Sequence, residues 1–74
     1  MTDQTNTPDP LDVAVGQRIR LTRKARGISA QKLGESIDVS FQQITKYETG
    51  ANRVSASMLI RIAERLDTTV AALV

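Results

Sequence analysis

Between Gly27 and Gly50 the chain has room for two short helices and little else. The segment reads GISAQKLGESIDVSFQQITKYETG. Ser29 can cap a first helix, in which Leu33 and Ile37 form the apolar side. Ser40 caps a second, with Gln43 three residues later in the S-x-x-Q form of a capping box. Ile44, Tyr47 and Glu48 fall on one side of that helix, and Gly50 ends it. Asp38 lies between the two and tolerates the left-handed backbone of a tight turn, though less readily than glycine. Two helices joined by about three residues, with Gly34 small where they cross, make a helix-turn-helix unit.

The flanks follow the same period. Leu11, Val15 and Ile19 give residues 11–26 an apolar stripe that stops at Gly27. Ser55 caps a helix with Leu59, Ile62, Ala63 and Leu66 on one face, and after a turn at DTT the stretch VAALV adds a final short turn or two. No segment alternates as a strand would. The expected fold is all-α, a compact bundle of five short helices over residues 11–74. Residues 1–10 (MTDQTNTPDP) are polar with two prolines, and the prediction for them is a disordered tail.

Composition removes whole classes of function. Without cysteine there is no disulfide or thiolate metal site, and without histidine the usual general base and the commonest zinc ligand are gone. No paired carboxylate stands out as a site, so neither an enzyme, a metal centre nor a cofactor is expected. No apolar run approaches the ~20 residues that span a bilayer, and the expectation is a soluble cytoplasmic protein. Charge points to an anionic partner. Asp3 and Asp9 lie in the tail, so residues 11–74 keep all ten basic groups and six of the eight acidic ones, a balance of +4. Five of the ten fall between Arg18 and Arg26. Two aromatic residues are too few for the stacking platforms of single-strand RNA readers.

GISAQKLGESIDVSFQQITKYETG together with LIRIAERLDTTVAAL resembles the bacterial and phage Cro/repressor-type (xenobiotic-response-element) helix-turn-helix family, over most of residues 16–73. FQQITKYETGANRV is similar to one bacterial subgroup of it. The resemblance implies a lambda-repressor-like DNA-binding domain whose third helix, residues 40–48, enters the major groove. Three positions depart from the family's habits. Ala30 stands where many relatives place a phosphate-binding glutamine, which leaves Gln31 as the substitute. Asp38 and Gly34 stand where glycine and alanine are commoner.

On a helical wheel Gln42, Thr45 and Lys46 point away from Ile44, Tyr47 and Glu48. The resemblance makes that outward face the one that reads bases. Glutamine gives adenine a donor and an acceptor, lysine donates to guanine O6 and N7, and Thr45 suits a thymine methyl or a backbone oxygen. Gln43 has its capping duty and, by resemblance, a phosphate or base contact as well. Phe41 sits at the border, either against a thymine methyl or folded back as core, and the family's use of that position favours DNA. Gln31, Ser40, Asn52 and Arg53 are the expected phosphate contacts. Arg23 and Glu48 are expected to form an ion pair joining the first helix to the third, as in relatives with this arrangement. Arg18, Arg20, Lys24 and Arg26 are read as solvent-facing. The tail has no Lys or Arg and should not grip the duplex.

The resulting expectation is a sequence-specific, double-stranded-DNA-binding regulator. It acts as a homodimer on a palindromic operator through Val70, Leu73 and Val74, and is nucleoid-associated when bound. The other reading of these three residues is that they only close the core, which Leu73 is expected to do in either case. Repression by blocking polymerase is the simplest mechanism, and activation by touching RNA polymerase is the variant. The alternative is an antitoxin-type module that neutralises a partner protein by contact.

Overall fold

A computed structural model describes residues 7–74 as five α-helices, with no strand among those residues. They are α1 (Pro10–Ala25), α2 (Ala30–Ser36), α3 (Phe41–Thr49), α4 (Ala56–Arg65) and α5 (Val70–Leu73). Each begins where a side-chain oxygen meets an orphan N–H of the first turn. Ser29 Oγ accepts from Lys32 N at 3.0 Å, Ser40 Oγ from Gln43 N at 3.1 Å and Ser55 Oγ from Met58 N at 3.2 Å. Thr69 caps α5 in the same way.

The start of α1 differs from the expected boundary. Asp9 is its N-cap, accepting from Leu11 N at 2.7 Å, and Pro10 is its first residue. Proline there gives up only an N–H that would have no helical partner, and its fixed φ suits the helix. The tail reading thus loses its last two residues to the domain, while residues 1–6 lie outside the described ones. Leu11 is also not core. It is 75% exposed, and the inner face of α1 is formed by Val15, Gly16, Ile19 and Arg23.

Ile19, Leu33, Ile37, Ile44, Leu59, Ile62, Ala63, Leu66 and Leu73 make one core, to which every helix contributes. Leu73 is fully buried there, which corrects its assignment to a dimer surface. A four-residue helix at the end of so small a core covers the bundle with its one large inward residue. Val70 is half-buried against the same cluster, and only Val74 of the expected trio is exposed.

Arg26 is exposed, as expected, and it also satisfies carbonyls at the end of α4: its Nε donates to Leu66 O at 2.8 Å and its NH2 to Asp67 O at 3.1 Å. Among the described residues Asp38 and Asp67 are the two non-glycine ones with positive φ, at 63° and 55°. Left-handed backbone costs a residue with a Cβ about 1–2 kcal/mol, partly offset by the entropy that glycine would lose. Asp38→Gly is therefore expected to raise stability by roughly 0.5 kcal/mol. Urea titration checks this, and a lower midpoint would mean that the Asp38 side chain stabilises the turn.

Candidate nucleic-acid interface

The α2–α3 unit is held together by its backbone. Val39 N donates to Gly34 O at 2.9 Å, and Ile37 N to the same carbonyl at 3.2 Å. A Cβ on Gly34 would stand 2.5 Å from Val39 O and 3.3 Å from the carbonyl carbon of Ser40. The space a side chain would take is filled by the turn itself, so glycine's poorer helix propensity is the lesser cost here.

α3 is fixed from behind. Ile44 is fully buried, and Glu48 lies beneath the last turn. Arg23 of α1 reaches it with two hydrogen bonds, Nε to Oε2 at 2.6 Å and NH2 to Oε1 at 3.1 Å, while NH1 donates to Ile28 O at 2.8 Å. The two side chains are 11% and 7% exposed. This bidentate geometry holds the Arg23 pKa above its ordinary value. The hydrogen bond to Glu48 is the main cause, its charge adds to the effect, and burial opposes both. One guanidinium thereby ties the body of α1, the loop before α2 and the end of α3 into a rigid frame.

With Ile44 and Glu48 inward, Phe41, Gln42, Thr45 and Lys46 are exposed on one side of α3. Phe41 is 48% exposed at the first position of the helix, so it has not folded back into the core. Thr45 Oγ1 donates to Phe41 O at 3.1 Å, which occupies its proton within the helix.

Gln43 is half-buried and behaves differently from the capping-box expectation. Its Nε2 donates to Asn52 Oδ1 at 3.1 Å instead of its amide turning back to Ser40. Asn52 N in turn donates to Lys46 O at 3.2 Å, and its Nδ2 to Ala51 O at 3.0 Å. Gln43 and Asn52 are thus one polar link that pins the following loop to α3. Gly50 turns the chain into that loop with φ 81°. Ser40 is engaged as the cap, and Gln31 runs along α2 with Nε2 3.3 Å from Glu35 Oε2.

Arg53 does not stand alone. Its Nε donates to Asp12 at 3.2 and 3.3 Å, and its NH2 lies 3.8 Å from Asp9 Oδ2. Neither aspartate was singled out by the sequence reading, because the contact spans 41 residues and no local spacing announces it. Among the described residues no group of three or more acidic side chains is arranged to hold a metal, and no helix is long and apolar enough to cross a membrane.

Comparison with known proteins gives a consistent pattern. Residues 19–73 match the family model described as helix-turn-helix (HTH_3). An uncharacterized HTH-type transcriptional regulator of Sinorhizobium medicae is 51% identical over 67 residues, covering 90% of this chain and 48% of the relative. The chain thus spans about half the length of that curated relative. The fold is similar to the clp gene regulator ClgR of Corynebacterium glutamicum, with a TM-score of 0.84, 28% identity and coverage of 88% of this chain and 69% of the other. It is also similar to the P22 c2 repressor protein in complex with a synthetic operator, with a TM-score of 0.75, 27% identity and coverage of 81% and 91%.

Proposed function

Because the chain belongs to the helix-turn-helix family, we propose that it is the DNA-reading unit of a bacterial transcriptional regulator, binding double-stranded DNA sequence-specifically and acting as a repressor. The observation that carries this reading is the exposed face of α3, with Gln42, Thr45 and Lys46 presented from a helix whose inner side is locked by Ile44 and the Arg23–Glu48 pair. Such a face supplies the donors and acceptors that major-groove readout needs, held at a fixed angle to the rest of the domain.

In this reading Gln42, Lys46 and Thr45 meet base edges and Phe41 packs on a thymine methyl. Gln31, Ser40, Asn52 and Arg53 lie against phosphates, and Gln43 acts through Asn52, steadying the loop that grips the backbone. The protein carries out no reaction and needs no cofactor. It acts in the cytoplasm, on the nucleoid, by excluding polymerase from its site. A single module buries only ~600–1,000 Å², so a homodimer on a palindromic operator, with half-sites about one helical turn apart, raises affinity and specificity together. Val74 and the exposed edge of Val70 belong to the surface proposed for dimerisation.

The test is selection of bound duplexes from a random pool at near-physiological salt, with wild type and Gln42→Ala in parallel. A palindromic motif is expected, with the variant losing one preferred base per half-site and about 1–3 kcal/mol of discrimination there. Binding that shows no motif and simply fades with salt would leave only non-specific attraction and end the proposal.

A further inference from the structure

Arg53 is the proposed backbone contact that the protein's own acidic groups already occupy. Its side chain is 74% exposed, whereas that of Asp12 is only 19% exposed. The acid is therefore the anchored half of the contact, and the arginine is the half able to swing away. Asp12 lies in the first turn of α1 and Asp9 is its cap, where the helix N-terminus favours negative charge. The two carboxylates and one guanidinium leave this corner, between the start of α1 and the end of α3, with a net charge of −1.

From this arrangement we infer that Asp12, assisted by Asp9, is an internal competitor for Arg53 and sets how strongly the loop after α3 grips the DNA backbone. The inference rests on the DNA-binding reading above. A phosphodiester offers arginine the same kind of paired oxygen acceptors as a carboxylate, and an exposed ion pair is weak enough to exchange partners. When Arg53 changes partner it gives up its bonds to Asp12 and its pairing with Asp9, and the grip is reduced by the cost of breaking that contact. The reduction falls on backbone attraction, which every sequence offers equally. The share of binding that base edges must supply rises accordingly, and Asp12 becomes a determinant of specificity that itself touches no base.

The experiment measures binding to the selected operator and to a scrambled duplex across a salt series. Wild type, Asp12→Asn, Arg53→Ala and the double variant are compared, with Gln42→Ala as a control and thermal unfolding to confirm folded protein. Asp12→Asn should tighten binding to both duplexes by about 3–10-fold, more in proportion on the scrambled one. Its log–log salt slope should steepen by up to ~0.9, the value of one added phosphate contact. Most of that gain should vanish in the Arg53→Ala background. Asp9→Asn keeps a good N-cap and should shift binding the same way by less. Weaker binding by Asp12→Asn would make Asp12 a support for Arg53 and overturn the inference, as would an undiminished gain without Arg53. Failure of wild type to bind any duplex would remove the DNA reading and this inference together. Wild-type binding that depends on Gln42 but ignores Asp12→Asn would remove the inference alone.

Discussion

Glu48→Ala should unfold most of the protein at physiological temperature. Arg23 would keep its charge in a site where its side chain is 11% exposed, with only Ile28 O left as a partner. Breaking a buried pair in this way costs about 3–5 kcal/mol, against about 5–15 kcal/mol for the whole stability of a native domain, and a domain this small sits at the low end. The cost belongs to the stranded charge more than to the lost attraction. A double variant, Arg23→Met with Glu48→Leu, should therefore recover much of the loss, because similar apolar volume replaces both charges at once. Urea titrations of wild type, single and double variants make the comparison. A double variant no more stable than Glu48→Ala would show that packing around the pair, and not the unpaired charge, is what fails. Raised arginine pKa adds stability that is fully present below the ordinary arginine value and is lost only as pH rises through the folded one. No pH dependence from this pair is expected in the physiological range.

Gly16→Ala is expected to be nearly as damaging, although alanine is the better helix former by about 1 kcal/mol. A Cβ at position 16 would stand 2.6 Å from Glu48 O and 2.8 Å from Glu48 C, and closer still to Tyr47 O. These are backbone atoms of α3, well inside the ~3.5 Å of an ordinary carbon contact, so no rotamer change relieves them. α1 and α3 would have to separate, and overpacking of this kind costs about 1–3 kcal/mol, occasionally more. Gly50 lies at the same crossing, its Cα hydrogen side filled by Val13 of α1. Separation would also lengthen the Arg23–Glu48 contact and tilt the exposed face of α3. Gly16→Ala should then lose operator discrimination beyond its loss of stability. The neighbouring Gln17→Ala, on the exposed side of α1, serves as the reference and should unfold within a few degrees of wild type. Equal melting of Gly16→Ala and wild type would mean that the helix crossing is not fixed by that glycine.

Five helices, the turn at Asp38 and the outward direction of Gln42, Thr45 and Lys46 were legible without coordinates. Each depends on residues within one helical turn of one another. A serine meets an N–H three residues on, and an apolar stripe repeats every three or four positions. The partnership of Arg23 and Glu48 came from family resemblance; what the coordinates add is its bidentate geometry and the third bond to Ile28 O.

Other features had no local signature. Leu11 continues the apolar stripe of α1 yet lies beyond the edge of the core, whereas Leu73, placed in a dimer surface as well as expected to close the core, is fully buried. Gln43 had a local role available and took a partner nine residues away. Arg26 was one of a basic run until the end of α4 was brought to it, 40 residues along the chain. Sequence by itself determined where helices start, stop and turn, since capping and periodicity act over three or four residues. Only tertiary structure decided which faces meet, why Gly16 has to be glycine, and that Asp12 and Asp9 hold Arg53. Those outcomes depend on distances between segments that closing the core alone brings together.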